Sequence, residues 1–420
     1  MGALTLTPNL ATWAIAAVAT LGVIVRPFSW PEAIWAVLGA SLLVILGLLP
    51  WDIALDGVRK GTDVYLFLVG MMLLAEIARK EGLFDWLASL AVRAAKGSAT
   101  RLFLLVYIVG TVVTVFLSND ACAVVLTPAV YAATRAAKAE PLPYLFICAF
   151  IANAASFVLP ISNPANLVVF AQNMPPLGTW LRLFALPSLL SIVTTFVVLR
   201  LTQNASLKQS IEADVETKTL GTGGKVAGLG IILTGAALIA SSAAGIELGL
   251  PTFIAGVATA IVVLAIKRSG LVDVVKDVSW GVLPLVAGLF VLVEALEKTG
   301  VLQMLADTLK SYASADPMAT AWAGGAAVAF GANLVNNLPA GLLAGAAVQT
   351  AQVSQKVAGA ILIGVDIGPN LSVTGSLATI LWLTAIRREG QDVSAGQFLK
   401  LGVLVMPPAL ILALAALLYL

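Results

Sequence analysis

Long apolar runs separated by short polar segments follow one another along the chain. A helix needs about 20 apolar residues to cross the hydrocarbon core of a bilayer, and most runs approach this length. In the first half they lie at 8–25, 31–49, 64–78, 101–138, 143–171 and 181–199. In the second half they lie at 226–244, 251–266, 282–296, 318–350, 355–386 and 397–419. The pattern predicts an all-α polytopic membrane protein.

Two shorter segments have a different pattern. Residues 83–96 mix charged residues with Phe84, Trp86 and Leu87, which is an amphipathic arrangement typical of an interfacial helix rather than a span. Residues 301–312 occupy the corresponding place in the second half. The one sizeable hydrophilic connection, 201–225, separates the halves.

The composition agrees with a membrane protein. Of the 420 residues, 60% are hydrophobic and 11% charged, whereas soluble domains carry roughly 25% charge. The net charge of +2 gives no indication of nucleic acid as a partner. The chain contains no histidine, which removes the usual metal ligand and the usual proton carrier near neutral pH. Two cysteines predict no disulfide framework. We expect no cofactor and no enzymatic activity, because no cluster of Cys, Asp or Glu has ligand spacing.

The run at 101–138 carries Ser118, Asn119 and Asp120 in its middle. It is too long for one span, and a bend at these residues would make two arms of a re-entrant helical hairpin. A carboxylate at membrane depth is costly and therefore indicates a functional site. A single long helix with a polar kink is the alternative interpretation.

Three other runs are interrupted by polar residues. In 143–171, Pro160 and Pro164 remove helix donors, so the backbone should unwind between them. The polar residues at the three interruptions are Ser162, Asn163 and Asn166; Asn336 and Asn337; and Thr374 and Ser376. Unwound backbone is tolerated at membrane depth only inside protein or against a cavity. We therefore predict that these residues, together with Ser118 and Asn119, form one substrate site.

The second half repeats the first. At a constant offset of 218, the segment Gly70–Glu76 matches Gly288–Glu294. The same offset places Lys80 and Gly82 on Lys298 and Gly300, and Ser118 and Asn119 on Asn336 and Asn337. We predict two repeats, 1–200 and 226–420, joined by a cytoplasmic linker at 201–225. Each repeat contains five transmembrane helices, one of them broken, plus a re-entrant hairpin.

The distribution of lysine and arginine predicts the orientation. Each repeat has five full spans and a hairpin that returns to its own side, so the two repeats must be inverted. Six of the 24 basic residues fall on one side: Arg59, Lys60, Arg182, Lys298, Lys310 and Lys356. The other eighteen, Arg268 among them, fall on the opposite side. The positive-inside rule makes that richer side cytoplasmic and places both termini outside.

The residue types at the breaks favour a small neutral solute. They supply amides, hydroxyls and one central carboxylate, but no Arg or Lys, and an anionic substrate would normally meet a fixed cation. Paired broken helices in inverted repeats indicate a secondary transporter. With no histidine, a carboxyl group must carry any coupling proton, and Asp120 is the first candidate. Asp366, which matches Asn153 at an offset of 213, either shares the proton work or caps a half-helix.

Several blocks closely resemble the bacterial arsenite efflux permeases, and the resemblance extends over essentially the whole chain. The blocks are Leu68–Ala88, Ala95–Pro128, Ile161–Leu167, Gly331–Pro339 and Gly364–Ser372. The resemblance implies export of arsenite and antimonite as neutral hydroxides, in exchange for protons, across the bacterial cytoplasmic (inner) membrane. It also implies an elevator-type movement of a transport domain against a scaffold. A cytoplasmic arsenite-stimulated ATPase and a second copy of the chain are the protein partners consistent with it.

Alternatives remain within transport. A sodium/proton antiporter of the same superfamily would use Asp120 and Asp366 as an ion site. Sodium-coupled anion transporters there resemble Ser-Asn-Thr at both hairpin tips, from which this chain departs at Asp120 and Leu338. Cys122 follows two residues after Asp120, but two cysteines cannot form a trithiolate cage, so we interpret it as a packing residue.

Overall fold

The computed structural model describes residues 7–170, 174–213, 215, 218–267, 274 and 276–420. Within these ranges the regular structure is helical, apart from one isolated bridge between Ser98 and Ser210. Arg268, one of the basic residues assigned to the cytoplasmic side, lies outside the described residues. The all-α class predicted from the apolar runs is confirmed.

The helices of the first half alternate long spans with shorter broken elements. They are α1 (Pro8–Val25), α2 (Glu32–Ile45), α3 (Trp51–Lys60), α4 (Thr62–Lys80), α5 (Leu83–Ala95), α6 (Ala99–Phe116), α7 (Asn119–Ala121), α8 (Thr127–Ala136), α9 (Leu142–Ala154), α10 (Pro164–Phe170) and α11 (Leu177–Thr202). A π-helical turn, Cys122–Leu126, connects α7 to α8.

The second half has a similar order of elements, although α3 has no counterpart among its described helices. Its helices are α12 (Thr222–Ala243), α13 (Gly249–Lys267), α14 (Val282–Lys298), α15 (Val301–Ala315), α16 (Pro317–Val335), α17 (Asn337–Ala351), α18 (Gln355–Ile367), α19 (Leu377–Arg388) and α20 (Ala395–Tyr419). Seven of the described helices are long and apolar enough to cross a membrane, and α3 with α4, bent by 46°, makes an eighth candidate span. The helix α3 was not predicted from the apolar runs.

Helices of one half pack against helices of the other. Helix α2 packs against α14, and α4 packs against α13. Since α2 and α13 are each the second helix of their half, exchanging the halves converts one pair into the other. The last helices of the two halves, α11 and α20, pack against each other. The pairing of these helices between the halves agrees with the repeat predicted from the sequence.

Small residues allow these crossings. A Cβ atom on Gly70 would overlap the backbone of Thr252, and one on Gly288, its partner at offset 218, would overlap Ala36. Such close backbone approach is how helices associate where lipid provides no hydrophobic driving force.

Gly82 (φ 74°) and Gly300 (φ 80°), also 218 apart, make the same left-handed turn before α5 and α15.

An amphipathic helix packs against each hairpin. Helix α5 contacts both α6 and α8, and α15 contacts both α16 and α17. Both helices are too short to span a bilayer, as expected for 83–96, and several residues of α5 are buried against the hairpin. The hairpins are thus held laterally by the element that precedes each of them.

Candidate functional site

The first hairpin bends at Ser118. Its backbone there is extended (φ 178°, ψ 167°), so the run at 101–138 is not a single helix. The Ser118 Oγ atom accepts from the Ala121 N–H at 3.2 Å, and Asn119 Oδ1 accepts from the Asp120 N–H at 2.9 Å. These two side chains satisfy free donors at the start of the second arm. The carboxyl group of Asp120 takes no part in this capping.

The second hairpin bends at Asn336, whose φ of 73° is unusual for a residue other than glycine. Asn336 Nδ2 donates to the Thr374 carbonyl at 3.2 Å, and its Oδ1 accepts from the Leu338 N–H at 3.4 Å. Asn337 begins α17 and is buried. The tip of the second hairpin is therefore fastened to the second broken helix.

The first broken helix unwinds between α9 and α10, as the two prolines predict. A 3₁₀ turn, Pro160–Ser162, lies in the gap. Ser162 donates to the Val115 carbonyl of the first hairpin at 3.0 Å, while Asn163 Oδ1 accepts from the Ala165 N–H at 3.0 Å and caps α10. Asn166 donates back into the loop, to the Ser156 carbonyl at 2.8 Å. Side chains thus replace the helical hydrogen bonds that unwinding removes.

The second broken helix unwinds between α18 and α19. Ser376 caps α19 by accepting from the Thr379 N–H at 3.1 Å. Thr374 donates to the carbonyl of Asn333, a residue of α16, at 3.2 Å. The α-helix is therefore interrupted just before Pro164 and just before Leu377, and each interruption is bonded to the hairpin of its own half.

One cavity lies where the breaks meet. Its volume is about 30 Å³, and Asn119, Asp120, Asn163 and Asn337 contribute its polar lining. The apolar lining comes from neighbouring elements: Leu68, Pro164, Val282, Val286, Leu338, Leu377 and Ala378. Four of the predicted site residues are thus brought together. Ser118, Ser162, Asn166, Asn336, Thr374 and Ser376 do not line the cavity; they cap or hold the segments that do.

The electrostatics of the cavity are simple. Asp120 is half-buried and supplies the one carboxyl group among the lining residues, and no Lys or Arg lines the space. The N-terminal ends of the helical segments beginning at Asn119, Pro164, Asn337 and Leu377 all reach the cavity. Helix N-termini carry partial positive charge and present N–H groups, so they favour electron-rich oxygen atoms of a ligand.

Asp366 lies behind the cavity. Its carboxyl group is fully buried, and Oδ1 accepts from Asn163 Nδ2 at 2.6 Å. Asp366 stands one residue before the end of α18, and none of the hydrogen bonds to its carboxyl in the described structure comes from a backbone N–H. The predicted alternative that Asp366 caps a half-helix is therefore not observed. Its contact is instead with a residue that lines the cavity.

Comparison with known proteins places the chain in a family. The family model described as a citrate transporter matches residues 15–366, which is well over half of the chain. The chain belongs to this citrate transporter family. Its fold and its relatives are those of membrane transporters and not of enzymes.

The chain is also similar over most of its length to individual transporters. This transporter is 28% identical over 407 residues to the arsenical pump membrane protein of Escherichia coli strain K12, covering 91% of this chain and 92% of that one. The resemblance to arsenite efflux permeases is thereby confirmed. Among solved structures, the YdaH transporter of Alcanivorax borkumensis aligns with a TM-score of 0.58 at 14% identity, covering 98% of this chain and 97% of its own. MtrF of Neisseria gonorrhoeae, an antimetabolite efflux pump, aligns with a TM-score of 0.55 at 14% identity, covering 99% and 95%. These two show a shared fold.

A larger cavity of about 550 Å³ opens on the transporter beside the site, and sequence reasoning missed it. Leu167 and Leu342, about one helical turn beyond Asn163 and Asn337, are among its lining residues. The lining also contains the charged residues Arg59, Lys60, Asp63, Glu247, Glu294 and Glu297. The one sequence feature that could have indicated this cavity is the amphipathic stretch Trp51–Lys60, which forms α3.

The repeated glutamates have structural contacts. Glu294 pairs with Lys60 at 2.5 Å, which joins α14 to α3 across the halves. Glu76 pairs with Arg79 at 2.6 Å on the same helix. Ion pairs at helix ends fit a structural role better than a transport role.

The two cysteines of the transporter are buried next to each other. Cys122 Sγ contacts the Cys148 carbonyl oxygen at 3.6 Å, and neither residue lines the cavity. Among the described residues, no three His, Cys, Asp or Glu side chains are grouped as metal ligands. These contacts agree with the interpretation of Cys122 as a packing residue.

Proposed function

We propose that this transporter exports arsenite and antimonite, as neutral hydroxides, from the bacterial cytoplasm in exchange for protons. The observation that carries the proposal is the cavity lined by Asn119, Asp120, Asn163 and Asn337, with no fixed cation. The relatives named arsenical pump membrane proteins support the same substrate class.

The size and charge of the cavity argue against citrate. The volume of about 30 Å³ equals roughly the room of two water molecules, which is much nearer the size of a small hydroxide than that of a tricarboxylate. Citrate would also meet the Asp120 carboxyl without any Arg or Lys in the lining to compensate it. A trivalent hydroxide presents oxygen lone pairs to the helix N-termini and hydroxyl hydrogens to amide oxygens. It can therefore satisfy this lining without a counter-charge.

The coupling step uses a carboxyl group, and Asp120 faces the cavity. We infer that a proton and the metalloid hydroxide compete there, because both need the carboxyl oxygens. Binding of the hydroxide from the cytoplasm releases the proton. After the hydroxide leaves on the other side, Asp120 takes up a proton and the carrier returns with an uncharged site. Asp366, the other predicted candidate for the coupling proton, does not line the cavity and accepts from the Asn163 amide behind it.

The movement we propose is of the elevator type, with the hairpins and broken helices carried between the two sides. The paired breaks in repeated halves support it. The inverted arrangement of repeats 1–200 and 226–420 and the outward-facing termini remain predictions from the charge distribution.

Everted membrane vesicles provide the test. Their lumen corresponds to the outside of the cell, so an acidic lumen should drive arsenite into them. We expect gradient-dependent uptake that a protonophore abolishes and that vesicles lacking the transporter do not show. Citrate should not be taken up under the same gradient. Uptake that follows an imposed sodium gradient and ignores the pH gradient would instead support the sodium-coupled alternatives.

A further inference from the structure

Asp366 Oδ2 and Asn166 Oδ1 lie behind the cavity, are buried and make no hydrogen bond in the described structure. The Ser156 hydroxyl lies near the Asp366 carboxyl, but its hydrogen is donated to the Asn153 carbonyl at 2.7 Å. Buried polar atoms are rarely left unpaired, because desolvation without a compensating hydrogen bond is unfavourable. Both atoms are acceptors when the carboxyl is ionised. A single hydrogen placed on Asp366 would give its carboxyl a donor.

The other half of the chain shows what such a donor does. Helices α9 and α18 begin and end at the same relative positions, with Leu142 matching Gln355 and Ala154 matching Ile367 at an offset of 213. At that offset Asn153 matches Asp366, and Asn166 matches Thr379. Asn153 donates from Nδ2 to Asn370 Oδ1 at 3.0 Å and to Thr379 Oγ1 at 3.3 Å, while its own Oδ1 is unpaired. In the other half, the bond that corresponds to Asn153–Thr379 would run from Asp366 to Asn166, and each of these residues has an unpaired oxygen.

The surroundings of Asp366 hold no charge that could balance an ionised carboxyl. Helices α9, α10, α16 and α17, which pack closely on α18, contain no Asp, Glu, Lys or Arg. Two further neighbours, α11 and α20, carry basic residues, of which Arg182 and Lys400 are exposed and Arg200 bonds to Asn204 and Thr100. Lys356, on α18 itself, is exposed and donates to the Leu418 carbonyl. A buried unpaired charge is far more costly than a buried neutral acid.

The helix dipole also acts differently on the two carboxyl groups, Asp120 and Asp366. Asp120 lies in the first turn of its helical arm, where the helix dipole favours negative charge. Asp366 lies in the last turn of α18, where the dipole disfavours it. Two carboxyl groups in opposite environments take different protonation states and different roles.

We infer that Asp366 stays protonated throughout the transport cycle and donates from Oδ2 to Asn166 Oδ1, as Asn153 donates to Thr379. Its other oxygen holds the Asn163 amide in the orientation that caps α10 and lines the cavity. Asp366 is thus a positioning residue, and Asp120 alone exchanges the coupling proton. This inference deepens the proposed function by removing Asp366 from the coupling step.

Infrared spectroscopy tests the protonation state directly. The difference spectrum of the purified native protein minus Asp366→Asn should contain the carbonyl band of a protonated carboxyl at every pH at which the protein stays folded. If Asp366→Asn is not recovered, Asp366→Glu should move the band without removing it. A band that disappears as the pH rises within this range would overturn the inference. So would its absence throughout, or its loss on adding sodium at constant pH.

Transport assays test the positioning role. Asp366→Asn places in the second half the residue found at 153, and the pH profile of arsenite uptake should stay as in the native protein. Asp366→Ala removes the partner of Asn163 and should raise KM several-fold, with the pH profile again unchanged. Loss of the pH response in Asp366→Asn would show that Asp366 carries the coupling proton. If the native protein transports no arsenite while the band persists, the proposed substrate is wrong and the protonation of Asp366 stands.

Discussion

The side-chain amide of Asn336 donates to the carbonyl oxygen of Thr374 at 3.2 Å. This bond joins the tip of the second hairpin to the second broken helix, two segments that the chain separates by all of α17 and α18. It also explains how Asn336 holds a φ of 73°, a conformation that costs on the order of 1–3 kcal/mol for a residue with a side chain.

The first prediction concerns this residue. Asn336→Ala keeps the backbone strain and loses the bond to Thr374, so the free energy of unfolding should fall by about 1–3 kcal/mol. Asn336→Gly loses the bond but removes the strain, and should be less destabilised. Thermal unfolding in detergent measures both. Gln352→Gly is the matched control, since Gln352 is exposed with a φ of 51° and should be stabilised slightly. Equal losses for alanine and glycine at 336 would contradict this account.

The second prediction concerns the coupling proton. Asp120→Asn keeps the size of the side chain but cannot exchange a proton. The variant should equilibrate arsenite across proteoliposomes and fail to accumulate it against a gradient, with little response to pH. Asp392→Asn, on the exposed surface, is the control and should behave as the native protein. Full proton-driven accumulation by Asp120→Asn would exclude Asp120 as the proton carrier.

The third prediction concerns substrate binding. Asn119 and Asn163 line the cavity, and each alanine variant loses one side-chain amide toward the solute. A net hydrogen bond of 0.5–1.5 kcal/mol corresponds to a rise in KM for arsenite of about 2–10-fold. Membrane content of the variants, measured by immunoblot, should stay near the native level. Asn204→Ala removes an exposed asparagine in the linker and should leave KM unchanged. Unchanged KM in both cavity variants would argue that the solute binds elsewhere.

Much of this architecture could be predicted from the sequence, because apolar runs predict membrane-spanning helices and prolines predict where a helix is interrupted. The bounds of α1 agree with the predicted run at 8–25, and the breaks near Ser118 and between Pro160 and Pro164 were expected. The four polar residues that line the cavity were among the predicted site residues.

What could not be predicted depends on packing between distant segments. The bond between Asn163 and Asp366 joins residues 203 positions apart, and no local pattern reports it. Helix α3 was not predicted, because four of its ten residues are charged and the stretch therefore lacks a continuous apolar run. The π-helical turn at Cys122–Leu126 has an ordinary apolar sequence that is equally compatible with an α-helix.

The fourth prediction concerns the helix crossings. Gly70→Leu and Gly288→Leu place side chains where the backbones of α13 and α2 lie, so each should be destabilised by about 1–3 kcal/mol or more. Gly331→Leu, on α16, is the matched control, because nothing lies within 4 Å of its Cβ position. Thermal unfolding in detergent compares the three. A native-like midpoint for Gly70→Leu would mean that the crossing is looser than described.

The fifth prediction concerns orientation. Gln209 lies in the linker and Ser314 near the end of α15, and both are exposed. Introduced singly as cysteine, residue 209 should react with an impermeant maleimide only in everted vesicles, and residue 314 only in intact cells or spheroplasts. The native cysteines are buried and should contribute little labelling. Labelling of both positions from the same side would contradict the inverted arrangement.

The pairing of α2 with α14 and of α4 with α13 has a consequence for how the chain matures during synthesis. When the first half leaves the ribosome, the faces of α2 and α4 that these pairs will cover have no partner. Gly70 and Ala36 then face lipid or an accessory factor until the second half is inserted. The two halves are therefore repeats of a pattern but not independent folding units, and a chain truncated after α11 would keep these tight-packing surfaces open.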